Sequence, residues 1–314
     1  MQRSSDDHPD THPPRQWLIW ALLVVIVVAA ALRLWSLDNL PPGLFYDEAF
    51  NGVDARGVLS GENRPLYFTG NNGREPLYIY LQALIVALLG PNAYALRFTS
   101  ALIGIVTIPL TFLAARTLFA MTPTDEPNQL GPISPEWLAL FAAAGLAISY
   151  WHVNLSRLGF RAILLPLISA LALLFFWKAW VGGQRRDFGW AGFWFSLAFY
   201  SYTAGRLMPF TVILFVVGEW MLSLVRRSDA SASRDAWPTR WRGLVWMAVV
   251  GLICLAPLLF AIVQNPVILS SRTADVSILV KGTEGMPETP LARLGVNVVN
   301  TLRSFYDRGD LNLP

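Results

Sequence analysis

Seven stretches of this chain are too apolar, and most of them too long, for a soluble fold: residues 17–35, 93–119, 136–151, 163–181, 188–202, 207–225 and 244–263. An α-helix rises 1.5 Å per residue, so about 20 apolar residues cross a hydrocarbon core of about 30 Å. The chain is 54% hydrophobic and 14% charged, where an ordinary soluble domain carries about 25% charged residues. The expected fold class is therefore an all-α polytopic membrane protein. A further apolar run, 76–90, is short for a span and has the length of a re-entrant or interfacial helix.

Several function classes recede on composition. The net charge is only +3 and no basic stripe is present, so a nucleic-acid partner is not expected. The single cysteine, Cys254, lies in an apolar run and has no intrachain partner. Two of the three histidines, His8 and His12, sit in a polar N-terminal stretch, and no spaced ligand set points to a metal. The first apolar run is too long for a signal-peptide core and no small-residue cleavage site follows it, so it reads as a retained span.

Charge between the runs gives an orientation. With 76–90 lying in the interface, Arg185, Arg186 and the Arg226, Arg227, Arg234, Arg240, Arg242 group fall on the same side as the N-terminus, which the excess of arginine marks as cytoplasmic. The reading is a disordered cytoplasmic tail over 1–15 and a transmembrane module over 16–263. The first outer loop of that module is 38–92, and an outer segment follows over 264–314. That last segment carries apolar residues at 291, 294, 298, 302 and 305, the spacing of an amphipathic surface helix, and it stops as though before further spans. About seven spans plus one interfacial helix are expected.

This orientation gathers the chemistry on one face. The first outer loop holds Asp47 and Glu48 side by side, then Arg74 and Glu75. Carboxylates beside a hydrocarbon slab are expensive unless solvated or paired, which makes them functional candidates. Asp47 also fits a helix N-cap and Glu48 a first-turn carboxylate. Arg74, Arg97, Arg157, Arg161 and Arg206 sort to the same side and are suited to surround an anion. Arg157 and Arg161 lie about one helical turn apart and are expected to face the same way. Tyr46, Tyr202 and His152 are candidate lining residues, although aromatic groups at helix ends also serve as interface anchors. Asp54 and Arg56 read as a solvated helix face.

Five segments taken in order resemble a known group. They are Asp47-Glu48 after the first span, Gly73-Arg-Glu-Pro-Leu-Tyr-Ile-Tyr80, Ala95-Leu-Arg-Phe-Thr-Ser-Ala-Leu-Ile-Gly104, Tyr150-Trp-His-Val-Asn-Leu-Ser-Arg-Leu-Gly-Phe-Arg161 and Tyr200-Ser-Tyr-Thr-Ala-Gly-Arg-Leu-Met-Pro209. The pattern resembles polyprenyl-phosphate-dependent glycosyltransferases of the GT-C fold, within it family 39, the protein O-mannosyltransferase and lipid A aminoarabinose transferase group. The resemblance spans roughly residues 17–310 and implies a catalytic carboxylate in the first outer loop, at Asp47 with Glu48 beside it. Two departures stand out. Many members have a lysine before the proline that opens the short helix, where this chain has Glu75, and many have an acidic residue after the Arg-Leu-Gly stretch, where it has Arg161-Ala162.

The chemistry so implied is transfer of a hexosyl or pentosyl group from a polyprenyl-phosphate donor to a protein, lipid or glycan acceptor of the cell envelope. It would occur on the outer side of the plasma membrane, with inversion and without a metal or other cofactor. A base must reach the acceptor hydroxyl, and a carboxylate beside a low-dielectric boundary is a good candidate. Guanidinium donors match phosphate oxygens and hold the leaving charge, the role open to Arg74, Arg157, Arg161 and Arg206. Two other functions fit the same composition: a lipid or sugar-lipid transporter, and a module that binds lipid-linked sugar without catalysis. No run of ionisable residues crosses the midplane and no internal repeat is evident, both of which weigh against transport.

Overall fold

The computed structural model describes residues 14–71, 73–121, 134–225, 230–266, 287 and 289–304. In chain order the helices are α1 (Arg15–Leu34), α2 (Tyr46–Ser60), α3 (Pro76–Leu89), α4 (Ala93–Ala120), α5 (Pro135–Ile148) and α6 (Tyr150–Arg157). They continue with α7 (Leu164–Gly182), α8 (Arg185–Ala198), α9 (Met208–Val225), α10 (Ala230–Gln264) and α11 (Pro290–Ser304). Among the described residues extended pairing is limited to an isolated bridge between Phe68 and Arg74. The chain is a multi-pass, all-α membrane protein.

Among the described residues five helical segments are long and apolar enough to cross a bilayer: Gln16–Leu34, Ala93–Ala120, Arg161–Gly182, Thr203–Ser223 and Trp237–Gln264. A sixth crossing requires α5 and α6 together, bent by 53° at their junction. The run at 188–202 differs from expectation. Its helix, α8, has 14 residues, about 21 Å of rise, and gives way to a turn before Tyr202. Among the described residues five span-length helices and one bent pair thus stand where the sequence suggests seven spans.

The bend between α5 and α6 has an identifiable cause. Arg33, in the last turn of α1, is fully buried and directs its guanidinium at the last carbonyls of α5. Its Nη1 donates to Ala147 O (2.9 Å) and its Nη2 to Leu146 O (3.4 Å). Nη2 also donates to His152 Nδ1 (2.8 Å) and Nε to Ser156 Oγ (3.2 Å), both on α6. One cation therefore caps the end of α5 and ties down the start of α6. Gly104 on α4 makes room for it: a Cβ there would lie 2.2 Å from Ser156 Oγ.

Packing follows the alanines. Ala29 of α1, Ile108 and Phe112 of α4, and Ala139, Ala143 and Ala147 of α5 form one buried cluster, small residues letting the helices approach. Phe176 and Trp180 of α7, Ala191 and Phe195 of α8, and Val212 and Val216 of α9 form a second. α8 also lies tight against α10, where a Cβ on Gly192 would meet Met247 O at 2.2 Å. Trp17, Val24 and Val27 of α1 remain exposed, as expected for side chains turned to lipid.

Contacts divide the chain between Leu259 and Phe260. In the second unit α11 presents Leu291, Leu294, Val298 and Leu302 at the amphipathic spacing, while Phe305 and the expected disordered tail before residue 14 lie outside the described residues. Within the first unit the two ends of the bundle differ. At one end Trp177 Nε1 donates to Met121 O (2.9 Å) and Arg240 Nε to Trp180 O (3.4 Å), and this end carries Arg185 and Arg242. The other end is built from α2, α3 and the 158–163 and 199–207 connections.

Candidate active site

The loop between α1 and α2 is fastened by α4. Arg97, 1% exposed, donates from Nε to Glu48 Oε1 (2.8 Å), from Nη1 to Leu37 O (3.1 Å) and from Nη2 to Gly43 O. These bonds hold the chain entering α2 against the bundle. Glu48 uses its other oxygen to accept the Phe45 N–H (3.1 Å), satisfying an orphan donor of the first turn. Burial raises the pKa of Glu48 above its ordinary value, while Arg97 and the Phe45 N–H pull it back. A Cβ on Gly159, whose φ is +59°, would lie 2.9 Å from that carboxylate. Glu48 is therefore enclosed with both oxygens engaged. It is placed as a structural anion, not as an accessible base.

Asp47 has a different environment. The N-cap of α2 is Phe45, so Asp47 sits inside the first turn and the capping bond belongs to Glu48. The Asp47 carboxylate is half-buried, and its Oδ1 accepts from Asn71 Nδ2. Asn71 gets there because Phe68 and Arg74 pair through two backbone hydrogen bonds, leaving a tight turn with Asn71 at φ +50°. Gly73 closes the turn at φ +81°, where a Cβ would strike Tyr67 Oη. Among the described residues no Lys or Arg forms an ion pair with Asp47. Its orientation is set by Asn71, and no ion pair among the described residues offsets its charge.

Arg74 turns out to be a brace. It is 1% exposed, donates to Asn51 Oδ1 (2.9 Å), Asp54 Oδ2 and Gly70 O (3.3 Å), and lies over the Phe50 ring. It locks the turn onto α2, which also corrects the solvated reading of Asp54. Glu75, the next residue and the N-cap of α3, faces the other way into a basic cluster. Its Oε2 lies 3.4 Å from Arg161 Nε, and its Oε1 accepts from Thr203 Oγ1 (2.8 Å) and lies 3.5 Å from Arg206 Nη2. Arg161 also stacks 5.5 Å from the Tyr202 ring, with Phe160 packed edge-on to that tyrosine. Two consecutive residues thus join the Asp47 half of the site to the Arg206 half. α3 is anchored under both, its Leu77 N–H donating to Tyr200 O (3.0 Å) and its Tyr78 Oη bonded to Ser100 Oγ (2.6 Å).

Arg157 and Arg161 do not share a face. α6 ends at Arg157, Gly159 reverses the chain, and Arg161 opens a separate 3-10 turn, Arg161–Ile163. Arg157 instead takes two carbonyls at the end of α1, Leu32 (2.9 Å) and Trp35 (2.8 Å), and Leu40 O (3.0 Å) in the loop beyond it. A cation at a helix C-terminus satisfies orphan carbonyls and the dipole together. It lines an open groove of about 620 Å³ whose walls are otherwise mainly apolar, with Leu32, Trp35, Leu40 and Pro41. His152 is buried against Arg33 and is not a lining residue, whereas its neighbours Tyr150 and Trp151 are exposed. Tyr46 is exposed at 61% and packs on Phe50.

No family model, curated protein or solved structure matches this chain.

The residues the sequence reading had missed are partners of those it had named. Arg33, Asn51, Asn71 and Thr203 hold the candidates in place. Only Asn71 left a local signal, the Gly-Asn-Asn-Gly turn between Phe68 and Arg74. Among the described residues no group of three His, Cys, Asp or Glu side chains could hold a metal ion.

Proposed function

We propose that this protein is a membrane glycosyltransferase of GT-C type. It would move a sugar from a polyprenyl-phosphate donor to a hydroxyl acceptor on the outer side of the plasma membrane, with Asp47 as the base. The observation that carries the reading is the contrast between the two adjacent carboxylates. Glu48 is consumed by Arg97 and the Phe45 N–H, whereas Asp47 is oriented by Asn71 alone and keeps an oxygen free of protein partners among the described residues. A carboxylate held this way can take the proton from an acceptor hydroxyl as that oxygen attacks the anomeric carbon. The carbon–oxygen bond to phosphate breaks on the opposite face, so the product is inverted.

Arg206 is the best-suited partner for the departing phosphate. Its side chain is 30% exposed and touches Glu75 through one nitrogen, leaving its other donors without a described protein partner. Arg74 and Arg157 are occupied, and Arg161 lies buried at Glu75 beneath Tyr202. The two departures from the resemblance also support it, because Glu75 and Arg161 are partners of one another with the expected signs exchanged. The mainly apolar groove of about 620 Å³ beside Arg157 matches the apolar character of an isoprenoid chain. The full seven-span GT-C arrangement belongs to this proposal, with α8 counted as a shortened crossing.

The test is incubation of membranes containing the full chain with radiolabelled polyprenyl-phosphate sugars and analysis of the product's anomeric configuration. Label appearing in an inverted glycoside is expected. Labelled lipid crossing the bilayer with no glycoside formed would overturn the proposal in favour of transport.

A further inference from the structure

The opposite end of the first unit holds a second groove, also of about 620 Å³, between the α7–α8 turn and α10. It is lined by Gly183, Arg185, Thr239, Arg242, Trp246 and Val249, among others. Its chemistry is split along the helix axis. Arg185 and Arg242 stand at the rim, both exposed, and among the described residues neither has a carboxylate partner. The Arg185 guanidinium carbon lies over the Trp246 ring, 4.0 Å from its centroid, which restricts a side chain that would otherwise wander. Trp246 reaches that position because Gly189 has no Cβ, which would stand 3.1 Å from its Nε1.

Below the arginines the wall becomes apolar. Arg242, Val245 and Val249 follow one another at helical spacing on α10, with Val245 59% and Val249 39% exposed. Seven residues of helix separate Arg242 from Val249, an axial drop of about 10 Å. That drop spans the distance from a phosphate at the membrane surface to the upper part of an acyl chain. Trp241, 54% exposed, sits at the rim, where aromatic side chains anchor to the interface. A free anion would use only the arginines, and a neutral lipid only the valines. An anionic lipid uses both.

We propose that this groove is a binding site for an anionic phospholipid, with Arg185 and Arg242 on the headgroup phosphate and Val245 and Val249 against an acyl chain. The occupant is matched by charge, since among the described residues the groove's lining holds two cations and no carboxylate. Its role is to hold α8, the short helix, to α10 at the basic end. It is independent of the transfer chemistry proposed for the other end.

Native mass spectrometry of the delipidated full chain in neutral detergent, titrated with phosphatidylglycerol or phosphatidylcholine, tests it. One phosphatidylglycerol should bind per chain well ahead of phosphatidylcholine. Each arginine near the surface contributes roughly fivefold to binding an anionic lipid, so the Arg185→Gln/Arg242→Gln variant should lose about thirtyfold. Arg56→Gln, an exposed arginine on α2, should lose nothing. Val249→Trp, which fills the lower wall and leaves both arginines intact, should also weaken the lipid. Equal binding of the two lipids by the wild type, unchanged phosphatidylglycerol binding by the double variant, or displacement of the lipid by millimolar inorganic phosphate would each overturn the proposal.

Discussion

Glu48→Gln separates the roles of the paired carboxylates. The substitution is isosteric and keeps an oxygen able to accept the Phe45 N–H, but it leaves the Arg97 guanidinium without its counter-ion. Arg97 is 1% exposed and Glu48 0%, so solvent cannot compensate the orphaned charge. Removing one partner of such a buried pair costs about 3–5 kcal/mol. For a unit of this size that corresponds to a melting-temperature drop of roughly 6–20 °C. Thermal unfolding in detergent, followed by intrinsic tryptophan fluorescence, reads the effect. Sugar transfer measured below the transition, per folded molecule, should stay within a few-fold of wild type. Asp47→Asn should behave in the opposite sense, since its side-chain oxygen can still accept from Asn71 and little stability is lost. A Glu48→Gln protein that melts normally yet has lost all turnover would refute the argument and move the base to Glu48.

Three further outcomes are expected. Glu75→Arg and Arg161→Glu should each destabilise the chain, and the double exchange should recover part of the loss, a coupling that a thermodynamic cycle on melting data would read as about 1 kcal/mol or more. Strict additivity would mean the pair is not energetically linked. Gly192→Ala places a methyl group 2.2 Å from Met247 O and should cost about 1–3 kcal/mol by forcing α8 from α10; an unchanged melt would show that this contact yields freely. Arg206→Gln should weaken donor use with little change in stability, whereas Arg74→Gln should destabilise first, because it orphans the buried Asn51 and the partly buried Asp54. Steady-state kinetics run beside thermal melts distinguish the two.

Hydrophobic pattern made the helices legible. The apolar runs at 93–119 and 163–181 became α4 and α7, and the short run at 76–90 became a 14-residue helix. Tertiary partners, which a run of residues does not carry, decided the rest. The break at Ser149 depends on Arg33, more than a hundred residues earlier. The four-residue spacing of Arg157 and Arg161 suggests a shared face, but Gly159 adopts a left-handed conformation between them. Arg74 has the right type and place for a phosphate ligand, and only the fold reveals that Asn51 and Asp54 already occupy it. Glu75 and Arg161 look like two independent departures in the sequence and form one pair in space.

Whether Asp47 is the base is read by comparing the full chain with Asp47→Asn for transfer of radiolabelled sugar in membranes, with donor binding measured in parallel. With Asp47 as the base, turnover falls by about 100-fold or more while donor binding persists. Unchanged turnover in Asp47→Asn would contradict it.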